Sequence, residues 1–130
     1  MIVVDASVVL DLLLKKHDAA KLESRLFDDG EVLLCPHLLD LEVAQVLRRL
    51  ALARQMTAER GMQAVTDYTA YPLTRYPHDP LLARVWELRD NFTAYDAVYV
   101  ALAESVRAPL LTRDRRLAKA PGHFAEVELI

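Results

Sequence analysis

Asp96 lies in TAYDAVYVALAE, residues 93–104, where almost every neighbour from Tyr95 to Ala103 is apolar. A buried carboxylate costs several kcal/mol unless a partner offsets it. One partner is local: Thr93 followed three residues later by Asp96 resembles a capping box, and an acid in a first turn suits the helix dipole. Other acids stand at the boundaries of apolar segments: Asp5 after IVV, Asp40 and Glu42 in PHLLDLEV, and Asp114 after LLT. Carboxylates gathered in one place repel one another and take up protons unless a counter-charge is present. A hard divalent cation, Mg²⁺ or Mn²⁺, supplies one. It takes oxygen ligands, keeps several waters and completes its shell with substrate phosphate.

Whether these acids meet depends on the elements that carry them. Met1–Val4 reads as a short buried strand, and Ser7 as the cap of a helix through about Leu14. A turn is expected at Asp28-Asp29-Gly30. Residues 31–35, EVLLC, form a second strand stopped by Pro36. A helix from Leu38 to Arg54 follows, then one capped by Thr57. LTRY, residues 73–76, is a third strand, and residues 79–90 are helical with proline in the first turn. After the Thr93 helix come strand PLLT, residues 109–112, a short helix from Asp114 to Lys119, and a closing strand in FAEVELI. Short apolar strands alternating with helices predict an α/β fold with a parallel sheet covered on both faces. Ligands bind beyond the carboxyl ends of such strands. Asp5 and Asp114 follow strands, while Asp40, Glu42 and Asp96 open helices that start at the same edge. Chain direction alone therefore sends four elements' acids to one rim. At 100° per residue, Asp40 and Glu42 border the apolar arc of their helix on opposite sides, and periodicity does not choose between them.

Composition narrows the class. The chain has 130 residues, 53% of them hydrophobic, which suits one compact domain over residues 1–130. No apolar run approaches the roughly 20 residues of a membrane span. The start lacks a basic region and carries Asp5 and Asp11, so a soluble, cytoplasmic protein is expected. The net charge of −3 argues against holding nucleic acid by general attraction, though not against a local basic rim. Three glycines build no phosphate loop. The one cysteine, Cys35, reads as a buried inert thiol. His17, His37, His78 and His123 have no spacing that favours zinc.

DASV, PHLLDLEVAQVLRRL, TAYDAVYVALAE and LLTRDRRL, in that order, resemble the PIN-domain ribonucleases, and most closely the VapC-type toxins of VapBC toxin–antitoxin modules. The resemblance spans the chain. It implies a three-layer α/β/α fold around a central, mainly parallel five-stranded sheet. It also implies an Mg²⁺- or Mn²⁺-dependent endoribonuclease, a homodimer, and neutralisation by a cognate VapB-type antitoxin. The family's acids fall on Asp5, Glu42, Asp96 and Asp114, which makes Glu42 rather than Asp40 the site acid. Ser7 and Thr112 match supporting hydroxyls; a helix cap and a strand end would explain them as well. Some relatives carry a further acid after the one in TRDRRL, where this chain has Arg115 and Arg116.

On this reading the acids hold metal, and metal-activated water hydrolyses an RNA phosphodiester. Arg113, Arg115, Arg116 and Lys119 around Asp114, with Arg48 and Arg49 after Glu42, are candidate phosphate contacts, each with a plain alternative as a solvated helix face. Leu10, Leu13, Leu14, Leu38, Leu41 and Leu52 exceed what one apolar stripe per helix needs. Core packing, an antitoxin groove and a dimer contact all account for them. Two other classes are open: a PIN-like module that binds RNA or protein without cutting, and a phosphoryl-transfer enzyme with an aspartyl nucleophile. The second class wants an aspartate two residues after Asp5, and Ser7 stands there.

Overall fold

The computed structural model describes residues 1–16, 18–28 and 30–130, so His17 and the middle of the expected Asp28-Asp29-Gly30 turn lie outside it. The strands are β1 (Ile2–Val4), β2 (Leu33–Pro36), β3 (Leu73–Tyr76), β4 (Leu110–Thr112) and β5 (Val127–Leu129). All pair in parallel, in the order β3-β2-β1-β4-β5. The central three are buried throughout, as continuous apolar runs require when both faces of a sheet are covered.

Helices α1 (Ala6–Leu13), α2 (Ala19–Glu23), α3 (Leu38–Leu52) and α4 (Ala58–Thr69) connect β1 to β2 and β2 to β3, moving outward from the centre. The chain then crosses back through a 3₁₀ turn at Asp79–Leu81, α5 (Leu82–Glu87) and α6 (Ala94–Val106) to reach β4, and α7 (Arg115–Lys119) leads to β5. Right-handed crossovers place these two groups on opposite faces, giving three layers. The direction of winding changes between β1 and β4, and sheets of this kind bind ligands beyond the carboxyl ends at such a point. Asp5 and Asp114 leave those two strands.

The structure changes several sequence expectations. Asp5, not Ser7, caps α1: its carboxylate accepts from the Val8 N–H. Pro36 ends β2 from inside, opposite Tyr76, because a last-residue proline forfeits little of the ladder. Between α1 and β2, where the sequence suggested no element, lie α2 and a π-helical turn at Ser24–Asp28, stabilised by Leu22 and Leu26 in the core. The third helix stops at Leu52, with Arg54 in a left-handed conformation at φ 57°. Thr57 and Thr93 cap α4 and α6 as expected. Cys35 is fully buried, and burial pushes its thiol up to about 12. Among the described residues, no helix is long and apolar enough to cross a membrane.

The start of α3 is secured from outside its own sequence. His37 offers no side-chain cap, and the Leu38 N–H instead donates to Nε2 of His78, at 2.9 Å, from the segment after β3. His78→Ala should therefore lower stability by about 0.5–1.5 kcal/mol, read as a lower urea midpoint at unchanged slope.

Candidate active site

Asp5 is 6% exposed and sits at the end of the central strand. Its Oδ1 accepts from the Ser7 hydroxyl at 2.5 Å and the Val8 N–H at 3.2 Å, and its Oδ2 accepts from the Thr112 hydroxyl at 2.5 Å. Each hydroxyl also accepts a backbone donor from the turn after β4: Arg113 N–H on Ser7 and Asp114 N–H on Thr112, both at 2.9 Å. The two strand ends are thus joined through one carboxylate. Burial still holds the Asp5 carboxyl above its ordinary range, against the downward pull of these donors.

Asp114 uses Oδ1 to cap α7, accepting from the Arg116 and Leu117 N–H groups at 2.8 and 3.2 Å. Asp96 stands in the first turn of α6, where its N–H donates to the Thr93 hydroxyl at 3.1 Å. Burial first, and then the Asp114 charge, raise its carboxyl; Arg116 and Thr93 pull the other way. Glu42, in the second turn of α3, receives the Tyr99 hydroxyl of α6 on Oε1 at 2.5 Å. Its carboxyl is raised by burial, with the charges of Asp5 and Asp96 adding to the rise and Tyr99 opposing it. The phenol of Tyr99 is itself driven far upward by burial and by Glu42, so it stays a donor.

Glu42 thus feels the charges of Asp5 and Asp96, and Asp96 that of Asp114. Asp40 does not join them. Arg75 Nε contacts its two oxygens at 2.8 and 3.1 Å, and the Tyr68 hydroxyl donates to Oδ1 at 2.5 Å. Opposite sides of one helix thus face different partners, Asp40 toward β3 and α4, Glu42 toward α6.

The basic residues divide as well. Arg116 lines a small cleft with Thr93 and Asp96, and Arg115 and Lys119 are exposed on α7. Arg113 is turned aside: its Nε lies 2.7 Å from Asp11 Oδ2, outside hydrogen-bond geometry. Arg49 borders a shallow groove with Glu42, Leu38, Leu41 and Tyr95, while Arg48 is exposed on the same helix. Leu10 and Leu13 belong to the core, whereas Leu41 and Leu52 are 70% and 67% exposed. Tyr99 is the site residue that sequence reasoning missed. Its one signal was a hydroxyl-bearing residue three positions after Asp96 in an otherwise aliphatic run.

Among the described residues, no three His, Cys, Asp or Glu side chains form a ready-made metal cage. The site's donors are all oxygens, the type a hard cation takes, and such a cation can be held by one or two carboxylates with water and phosphate completing its shell.

Comparison with known proteins places the chain in a family. The PIN domain model matches residues 2–123. Ribonuclease VapC1 of Mycobacterium tuberculosis is 44% identical over 130 residues, covering 98% of this chain and 96% of the relative. Ribonuclease VapC9 of the same organism is 45% identical over 118 residues, covering 91% and 89%. Among solved structures, PAE2754 from Pyrobaculum aerophilum aligns with a TM-score of 0.69 at 26% identity, covering 97% of this chain and 82% of its own. VapBC2 from Rickettsia felis, bound to a promoter DNA fragment, aligns with a TM-score of 0.70 over 98% of both chains at 13% identity, a likeness of fold.

The raised carboxyls set a pH dependence. The folded state of Asp5, Glu42 and Asp96 binds protons more readily than the unfolded chain. The stability they contribute is present below ordinary carboxylate values and is lost as pH rises through the raised ones. In EDTA, Asp96→Asn should melt higher than the unsubstituted chain, by a margin that grows from about pH 4 toward neutrality; a margin independent of pH would contradict the charge repulsion.

Proposed function

The chain belongs to the PIN-domain family, and from that premise we propose that it is a single-domain, metal-dependent endoribonuclease acting as the toxin of a type II toxin–antitoxin pair in the cytoplasm. One observation carries the reading: Asp5, Glu42, Asp96 and Asp114 converge at the carboxyl edge of the sheet, and the shifts of Glu42 and Asp96 trace to the neighbouring acids as well as to burial. Such an arrangement is costly to folding and finds its use when a cation is bound. The names of the mycobacterial relatives support the RNA substrate.

Asp5, Glu42, Asp96 and Asp114 would hold Mg²⁺ or Mn²⁺. A divalent cation bound there lowers the pKa of its water and neutralises charge developing on a phosphate. The chain's own groups do the remaining work. Ser7 and Thr112 keep Asp5 in one orientation, with hydroxyl protons directed to its two oxygens. The first N–H groups of α7 fix Oδ1 of Asp114 and leave Oδ2 outside that cap. Arg116, beside Asp96, and Arg115 and Lys119 on the same short helix supply positive charge for the RNA backbone. Arg113 is held by Asp11 and contributes less. The groove of Leu38, Leu41, Val46 and Tyr95 beside Glu42 suits the apolar face of a VapB-type antitoxin helix, and a homodimer accords with the remaining exposed leucines.

RNA cleavage should require Mg²⁺ or Mn²⁺, stop in EDTA, and fall by at least about 100-fold in Asp96→Asn, which leaves the Thr93 cap untouched. Cutting that survives EDTA would exclude the mechanism. Replacing Arg115 and Arg116 with alanine should weaken RNA binding and reduce its salt slope by about 0.7 for each phosphate the two side chains neutralise; an unchanged slope would remove both from the interface.

A further inference from the structure

Glu42 differs from Asp40, two residues earlier on the same helix, in how its charge is met. Asp40 has both a tyrosine hydroxyl and the Arg75 guanidinium. Glu42 has the Tyr99 hydroxyl and, among the described residues, no ion pair. The Tyr68 arrangement is complete in itself, whereas the Tyr99 arrangement fixes a carboxylate and leaves its charge to another cation.

Tyr99 is 2% exposed, three residues after Asp96 on α6, and therefore on the same side of that helix. The O–H that crosses from α6 to α3 ties an acid on one helix to the helix that carries an acid on the other. Packing alone does not call for that oxygen. The ring is buried, and phenylalanine would fill the same space. A glutamate has three freely rotating side-chain bonds, and the site needs it in one place.

We propose that Tyr99 is a positioning residue of the carboxylate site: its phenolic O–H holds Glu42 beside Asp96 and thereby sets the affinity for the divalent cation. This assignment rests on the four-carboxylate reading above. The bond acts as outer-shell partners of metal ligands do, by restricting the ligand rather than by touching the ion.

The test is calorimetric titration of Mn²⁺ into the metal-free full chain, for the unsubstituted protein, Tyr99→Phe, Glu42→Ala, the double variant, and Tyr68→Phe as a control. Thermal unfolding in EDTA checks that each is folded. Tyr99→Phe should bind Mn²⁺ about 10- to 100-fold more weakly. In the Glu42→Ala background the same change should have no further effect, because the group it acts through is gone. Tyr68→Phe should bind as the unsubstituted chain does. Undiminished binding by Tyr99→Phe, with Glu42→Ala weakened, overturns the Tyr99 assignment alone, and so does an equal loss in both backgrounds. No Mn²⁺ uptake by the unsubstituted chain, or full uptake by Glu42→Ala, overturns the four-carboxylate reading and this assignment with it.

Discussion

Asp5 is a carboxylate kept out of water at the end of the central strand, and the rim of the sheet is arranged around keeping it there. Its oxygens take two hydroxyl donors and a backbone donor, and the hydroxyls take two further N–H groups from the turn after β4. Each polar group in this network is both satisfied and directional. Moving any one of them would leave a buried donor or acceptor without its partner, at a cost of about 1–3 kcal/mol. The network therefore fixes the ends of β1 and β4 relative to each other, at the point where the winding of the sheet reverses. Asp114, the next acid along, inherits its place from that junction.

The other acids arrive on helices, and there the fold relies on caps. Thr93 starts α6 so that Asp96 falls in its first turn, and His78 secures the first N–H of α3 from a different segment. Both helices begin at the same edge because parallel strands leave no other place for a returning helix to start. The cost of the arrangement is visible in three carboxyls held above their ordinary range by burial, two of them with a contribution from neighbouring acids. A cation bound there, as proposed, would relieve that cost and so couple stability to binding.

The sequence was most legible where a signal is local. Short runs bounded by proline or acid marked the first four strands, β5 fell within the closing FAEVELI, and β3 fell on the predicted residues. Thr57 and Thr93 capped the helices that followed them. The stretch from α2 through the π-helical turn was not legible, because Leu22 and Leu26 alone of its described residues are buried and no capping side chain announces the start. The cap of α1 was assigned to the wrong residue for a related reason: Ser7 has the right chemistry for a cap, but its hydroxyl donates to Asp5 and accepts from Arg113, while Asp5 itself accepts from the helix.

Strand direction and element order are properties of the chain, and they were enough to send acids from four elements toward one edge. The sequence also determined the apolar core, because a buried parallel strand must be apolar on both faces. Tertiary structure alone decided what each polar group meets. A helical wheel gives the angle of Asp40 and Glu42 about their own axis, but not which neighbour lies at that angle. Arg75 and Tyr68 occupy one side and Tyr99 the other. The same holds for Arg113, which sequence places beside Asp114 and the fold pairs with Asp11. A charge or hydrogen bond acts over a few ångströms in space, and its partner is set by packing between elements far apart in the chain.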